Sequence, residues 1–309
     1  MEPRGGNAVH RWTAALTAST AALAVALPAA DASAEPQAAG PTGIGARGAY
    51  LLDANTGRQL WGKDAEVRRE VASTTKIMTA VVVLDGHTDL NKPVTIKQSY
   101  RDYVVRHGAS SADLRTGDKV TVRQLLYGLM LPSGCDAAYA LADSLGSGGS
   151  EAQRTKSFIA KMNRKAAELH LRNTVFDSFD GISSGGNHST PHDLALLARH
   201  ALGNSTLVTV MKAMSTQQKA LNVNRRYTWY NTNKLLGSYD GVFGVKTGST
   251  RAAGPCLVFA AKRQGRTVIG VVLNDPATRY QDAARMLDYA YHTHTKFTLR
   301  RLPPTAHED

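Results

Sequence analysis

Val71-Ala72-Ser73-Thr74-Thr75-Lys76-Ile77-Met78-Thr79-Ala80-Val81-Val82-Val83 decides how this chain is read. The run from Ile77 onward is apolar on every side, which describes a buried helix over 73–85 rather than a surface one. One lysine sits inside it. Three residues is almost one helical turn, so Lys76 shares a face with Ser73, the hydroxyl that opens the helix. A solvated lysine after an N-cap serine is the plainer alternative, but a lysine on a buried helix needs a reason. A serine hydroxyl is a poor nucleophile until a base takes its proton. A lysine held in a dry cleft can surrender its own proton and become that base. The helix start also aims a backbone N–H at the place where an oxyanion would form.

Two further strings follow in order. Ser133-Gly134-Cys135 comes directly after an apolar helical pattern over 121–131, capped by Thr121 and stopped by Pro132. That places Ser133 on a loop between helices, where its hydroxyl could relay a proton. Lys246-Thr247-Gly248-Ser249 closes an apolar strand containing Val242, Phe243 and Val245. At a strand edge the backbone can pair with an extended peptide. There the lysine can hold a terminal carboxylate, Gly248 allows close approach, and the Ser249 N–H offers a second oxyanion donor. Each string alone is weak, since a turn serine and a strand-terminal turn explain the second and third equally well. The order of all three carries the weight.

The flanks set the architecture. Residues 49–53 and 58–61 are β-prone, with the turn signal Asn55-Thr56-Gly57 between them. Helical spacing then continues from about Asp136 to Ser144 and from Glu151 to Leu169. Thr190-Pro191-His192-Asp193 starts another helix that ends near Gly203. Strands return at 242–247, 256–262 and 267–273, and a final helix covers 279–291. Strands at both ends and helices between predict an α/β fold. Its antiparallel sheet lobe comes from both chain ends, the helical lobe spans about 73–205, and the active site lies in the cleft between.

The first 34 residues read as a secretory signal peptide. Arg4 and Arg11 form a positive start, Trp12 to Ala26 is uncharged, and Ala32-Ser33-Ala34 fits a cleavage site. Residues 35–46 are expected to be a flexible leader, 47–291 the domain and 292–309 a basic tail. The formal net charge is +12, and the four charges of the signal cancel. For an exported chain that charge favours anionic wall polymers or a membrane surface, with peripheral association, over nucleic acid. Cys135 and Cys256 are expected to remain unbridged. Ten histidines are present, but H-E-x-x-H is absent, so neither a metal nor a cofactor is expected.

S-x-x-K, a near match to S-x-N, and K-T-G in that order resemble the signature of the low-molecular-weight penicillin-binding proteins, the D-alanyl-D-alanine peptidases of the S11 type. Further likeness lies in Val71–Ala80, in Asn173-Thr174 with Phe176 and Asp180-Gly181, and in Ser189-Thr190 with Asp193-Leu194. It covers about 48–291 and is greatest to the small actinomycete members, in which cysteine also replaces asparagine in the second motif. The resemblance implies a β-lactamase/transpeptidase-like fold. It implies Ser73 as the acylated nucleophile, Lys76 as its base, Ser133 as proton relay and Lys246 as carboxylate anchor. Thr247, Gly248, Ser249 and Cys135 would complete the substrate site. The substrate would be a peptidoglycan stem peptide ending in D-Ala-D-Ala, and β-lactams would be inhibitors.

Two departures stand out. Cys135 replaces an amide that donates and accepts hydrogen bonds with a thiol that does either weakly. The residues after Tyr291 also leave little chain for the C-terminal β domain and anchoring helix that many members carry. A β-lactamase would need a glutamate to activate water. Only Glu151 and Glu168 lie between the second and third motifs, and Glu168 ends an amphipathic helix with a surface pattern. The expectation is a secreted serine D-alanyl-D-alanine carboxypeptidase/transpeptidase. The alternatives are a weakly active wall-binding protein of the same fold and a β-lactamase.

Overall fold

A computed structural model describes residues 40–306 apart from 184 and 277. The signal sequence expected over 1–34 lies outside the described residues. In chain order the elements are β1 (Gly48–Asp53), β2 (Gln59–Lys63), α1 (Lys76–Asp85), β3 (Pro93–Thr95), α2 (Gln98–His107), β4 (Lys119–Thr121), α3 (Val122–Met130), α4 (Cys135–Leu145), α5 (Glu151–Glu168), α6 (Pro191–Leu202), α7 (Ser205–Lys212), β5 (Ser215–Lys219), β6 (Arg226–Tyr230), β7 (Val242–Thr250), β8 (Gly254–Arg263), β9 (Arg266–Leu273) and α8 (Arg279–Tyr291). β1, β2, β7, β8 and β9 form one antiparallel sheet in the order β2-β1-β9-β8-β7. The sheet thus joins both ends of the chain, as the α/β reading requires.

Both faces of this sheet are covered, and side-chain alternation shows why. Ile269, Val271 and Leu273 of β9 point into a core shared with α1, α3, α4 and α6. Val268 and Val272 point the other way, onto Ala283, Met286 and Leu287 of α8. Local capping fixes the helix starts. Thr121 and Ser150 each form reciprocal capping boxes, with Gln124 and Gln153, and Thr190 accepts from the Asp193 N–H with Pro191 in the first turn.

Three expectations shift. First, the helix does not begin at Ser73. Ala72–Thr75 form a tight 3₁₀ turn, and α1 starts at Lys76. Second, the leader expected over 35–46 is pinned at its far end. The Gly45 and Ala46 N–H groups donate to Asp282 Oδ2 at 2.6 and 3.0 Å, and Arg285 Nη1 donates to Gly43 O at 2.8 Å. Third, the basic tail over 292–309 is partly docked. Phe297 packs edge-on to Tyr239, and Arg300 Nη2 donates to Asn231 O at 2.7 Å. The helical segment also runs past 205. α7 and the β5–β6 hairpin join the same core through Leu207, Val210, Tyr227 and Trp229.

Candidate active site

Lys76 is fully buried, and its ammonium has three acceptors: Ser73 Oγ at 2.8 Å, Asp180 O at 3.0 Å and Cys135 Sγ at 3.3 Å. Burying an ammonium costs several kcal/mol. Hydrogen bonds to a charged group return about 1.5–3 kcal/mol each, so a set of this size is what burial demands. The bond to Ser73 is local, made across one turn. The other two are tertiary, and they tie the lysine to the start of α4 and to the loop that holds Asp180.

The 3₁₀ turn that carries Ser73 is gripped from two sides. A Cβ added to Gly181 would lie 2.0 Å from Ala72 O, and one added to Gly248 would lie 2.8 Å from Ser73 N and 3.0 Å from Thr74 N. Only glycine lets the 180s loop and β7 approach this closely. Ala72 itself sits at φ 47°, a left-handed conformation that costs a non-glycine residue about 1–3 kcal/mol. The strain stands immediately before the candidate nucleophile. β7 is the sheet edge, and Ser249 lines the same cleft as Ser73.

The cleft has a volume of about 1220 Å³. Ser73, Cys135 and Ser249 line it, with Ser110, Gly181 and Arg251. Ser133, Lys246 and Thr247 stand behind that surface, at 0 %, 1 % and 1 % exposed. Ser133 lies on the loop between α3 and α4. Its φ is 61°, and its Oγ has no hydrogen-bond partner among the described residues. Its backbone O takes the Ser110 hydroxyl at 2.7 Å instead. Lys246 is not an open cation: Nζ donates to Thr247 O at 2.9 Å, and Thr247 Oγ1 shares a hydrogen with Thr232 Oγ1 at 2.6 Å.

Cys135 and Cys256 are both free and buried. Burial pushes the Cys135 thiol up to about 12, against the opposing pull of Lys76, and the Cys256 thiol up to about 11. Burial thus favours the neutral form of the Cys135 thiol. Glu168 is 60 % exposed and paired with Lys165 at 2.6 Å, in keeping with a surface role.

Sequence reasoning missed the Asp180 carbonyl as a Lys76 acceptor. The motif that positions it was nonetheless visible. Asp193 Oδ2 accepts from Asn173 N at 2.8 Å and Thr174 Oγ1 at 2.7 Å, and Thr174 bonds Ser189 at 2.7 Å. These residues clip both ends of the loop that holds Asp180. Asn187 Nδ2 then ties the loop to Thr75 Oγ1 at 2.7 Å. Ser110 was missed because nothing in its surroundings marks it. Glu66, His192 and Asp193 bring three ligand-type atoms together, but Asp193 is engaged in the loop clip and Glu66 is exposed.

Comparison with known proteins agrees with this geometry. Residues 34–277 match the peptidase S11 family model, described as D-alanyl-D-alanine carboxypeptidase. The chain is 53 % identical over 255 residues to a D-alanyl-D-alanine carboxypeptidase of Streptomyces sp. strain K15, covering 80 % of this chain and 88 % of that one. It is 33 % identical over 270 residues to the carboxypeptidase DacB2 of Mycobacterium tuberculosis, covering 85 % and 88 %. The crystal structure of the Streptomyces K15 DD-transpeptidase superposes with a TM-score of 0.80 at 53 % identity, covering 82 % of this chain and 99 % of that one. The chain belongs to the S11 family of D-alanyl-D-alanine carboxypeptidases, which are serine peptidases.

Proposed function

We propose that this protein is an exported acyl-serine enzyme acting on peptidoglycan stem peptides that end in D-Ala-D-Ala. The single observation that carries the mechanism is a fully buried Lys76 with its ammonium 2.8 Å from Ser73 Oγ. Lys76, once neutral, takes the Ser73 proton as Oγ attacks the penultimate D-Ala carbonyl. The tetrahedral oxyanion forms between the Ser73 and Ser249 N–H groups. The C–N bond then breaks, the proton passes to the departing D-Ala nitrogen, and an ester on Ser73 remains. Ser133 relays that proton once a substrate bridges the gap to its unpartnered hydroxyl. Lys246 and Thr247 shape the end of β7 that holds the terminal carboxylate. Water or an amine then attacks the ester and frees Ser73. No cofactor or metal enters this scheme.

A β-lactam presents the same carbonyl but keeps its leaving group tethered, so the same attack leaves a lasting ester. The test is intact mass after incubation with benzylpenicillin. One adduct on Ser73, absent from Ser73→Ala, is expected. An adduct that persists in Ser73→Ala refutes the assignment. Export is tested separately, by sequencing the N-terminus of protein recovered outside the cell, where cleavage after Ala34 is expected.

A further inference from the structure

We infer that the tip of the β5–β6 hairpin, with the arginine-lined cavity beside it, is a docking surface for an anionic lipid bilayer. Six large apolar side chains are exposed among the described residues, and two of them, Leu221 at 54 % and Val223 at 40 %, lie two residues apart in the loop joining β5 to β6. The loop is held rigidly. Leu221 N donates to Lys119 O at 2.8 Å, while Asn222 accepts from Lys119 N at 2.8 Å and donates to Gly117 O at 2.9 Å. The apolar pair is thus presented on a preformed tip. Two exposed side chains of this size gain only a small area by themselves.

Charge supplies the rest. Lys219 and Arg226 are cross-strand partners at the base of the tip, and Arg225 precedes Arg226. Lys119 stands beside the tip on β4, and Arg115 belongs to the loop before β4. Arg115, Lys119, Lys219, Arg225 and Arg226 are all exposed. Only Arg225 has an ion-pair partner among the described residues, the buried Asp118 at 2.8 Å. Arg115, Arg225 and Arg226 also line a cavity of about 250 Å³ floored by the stacked rings of Tyr227 and Trp229. Its size and donors suit a phosphate headgroup. Among the described residues Asp113 is the acidic group on the same cavity wall, which Thr305 and Ala306 also line.

Cations alone would fit any polyanion. Cations ringed about two solvent-facing aliphatic side chains fit an interface that is charged at its surface and apolar just below it. No helix among the described residues is long and apolar enough to cross a membrane. Ser111 and Asp113 line both this cavity and the catalytic cleft, so docking here holds the cleft next to the bilayer. The inference deepens the reading of an enzyme working outside the cytoplasm.

The test is co-sedimentation of the mature chain with vesicles of phosphatidylcholine alone or containing 30 % phosphatidylglycerol, estimated on the order of what anionic membranes carry. Binding is expected only to the anionic vesicles and should weaken steeply with salt. Lys219→Glu/Arg226→Glu should weaken it by at least about fivefold per charge neutralised, and Leu221→Glu/Val223→Glu should abolish it. Circular dichroism and benzylpenicillin acylation should be unchanged in all variants, since none of these residues belongs to the catalytic machinery. Equal binding to both vesicle types overturns the inference, as does full binding by Leu221→Glu/Val223→Glu. Binding to a soluble polyglycerol phosphate that is indifferent to Leu221→Glu/Val223→Glu, with no vesicle binding, would assign the patch to a wall polymer and also overturn it. Vesicle binding is measured on purified protein, so it stands or falls apart from the export reading, which rests on N-terminal sequencing.

Discussion

The first and second motifs are assembled around one lysine by opposite means. Ser73 and Lys76 meet through local geometry: the 3₁₀ turn that carries Ser73 runs directly into Lys76, the first residue of α1, and sets their 2.8 Å contact. Ser133 and Cys135 have no such internal relation to the lysine. Cys135 reaches it across 59 residues of sequence, and Ser133 Oγ does not bond it at all. The first motif is a device in its own right, whereas the second depends on what surrounds it. The cost of breaking each should follow that difference.

The largest effect is expected at the local device. Ser73→Ala removes the nucleophile and should eliminate the penicilloyl adduct. Lys76→Ala should slow acylation by at least ~10²-fold, the low end for loss of a general base. Ser133→Ala should cost less than Lys76→Ala, because its hydroxyl enters only when substrate is bound. Stopped-flow acylation with a chromogenic β-lactam ranks the two. A Ser133→Ala defect as deep as that of Lys76→Ala would remove the distinction between the motifs.

The backbone that grips the 3₁₀ turn comes next. Gly181→Ala places a methyl 2.0 Å from Ala72 O at a residue whose φ is 95°, so the loop must withdraw. The Asp180 carbonyl would move with it and leave Lys76 short of an acceptor. We expect a loss of stability of about 1–3 kcal/mol and a fall in acylation rate together, read from thermal unfolding and from adduct formation. Unchanged acylation at reduced stability would show that Asp180 is dispensable to the lysine.

Much of this was legible before any coordinates. Strands at both chain ends, the Thr121 and Thr190 caps and the unexpected lysine in an apolar run are local or periodic signals, and each named its element. β3, β4, α2, α7 and the β5–β6 hairpin were not legible. β3 and β4 are three residues each. α2 has a single fully buried side chain, Tyr100, so its apolar pattern is faint. β5 reads Ser-Thr-Gln-Gln-Lys and becomes a strand because β6 brings Tyr227 and Trp229 to the core beside it. In the site, the side chains announced themselves. The Asp180 carbonyl could not, since every residue has one and only the fold decides which faces a lysine. Ser133 shows the converse: its residue type suggested a relay, while its surroundings among the described residues offer its Oγ no hydrogen-bond partner.

The smallest effect, and the one that best separates the two regions, concerns Cys135. Its thiol is buried and pushed up to about 12. At pH 8 about one molecule in 10⁴ would carry the thiolate, the form that reacts. Alkylation by iodoacetamide should therefore be slow at pH 8 and rise tenfold per pH unit through pH 10, whereas a plateau below pH 9 would mean that Lys76 stabilises the thiolate after all. In that neutral state the thiol is a weak hydrogen-bond partner for Lys76 and for a substrate amide. Glu168, the glutamate weighed as an activator of water, is on the surface and paired with Lys165, and the glutamate that lines the cleft is Glu70. An amine needs less help than water, so amine acceptors should compete well. With an acyl-D-Ala-D-Ala peptide and rising glycine, product should shift from acid to aminolysis adduct and turnover should rise. Cys135→Asn restores an amide that can both give and take hydrogen bonds, and it should raise the acid share severalfold at fixed glycine while acylation stays within about tenfold of wild type, a change near 1.4 kcal/mol or less. If the acid share is the same in both proteins, partition is set elsewhere in the cleft. The second motif would then matter only for how it seats Lys76.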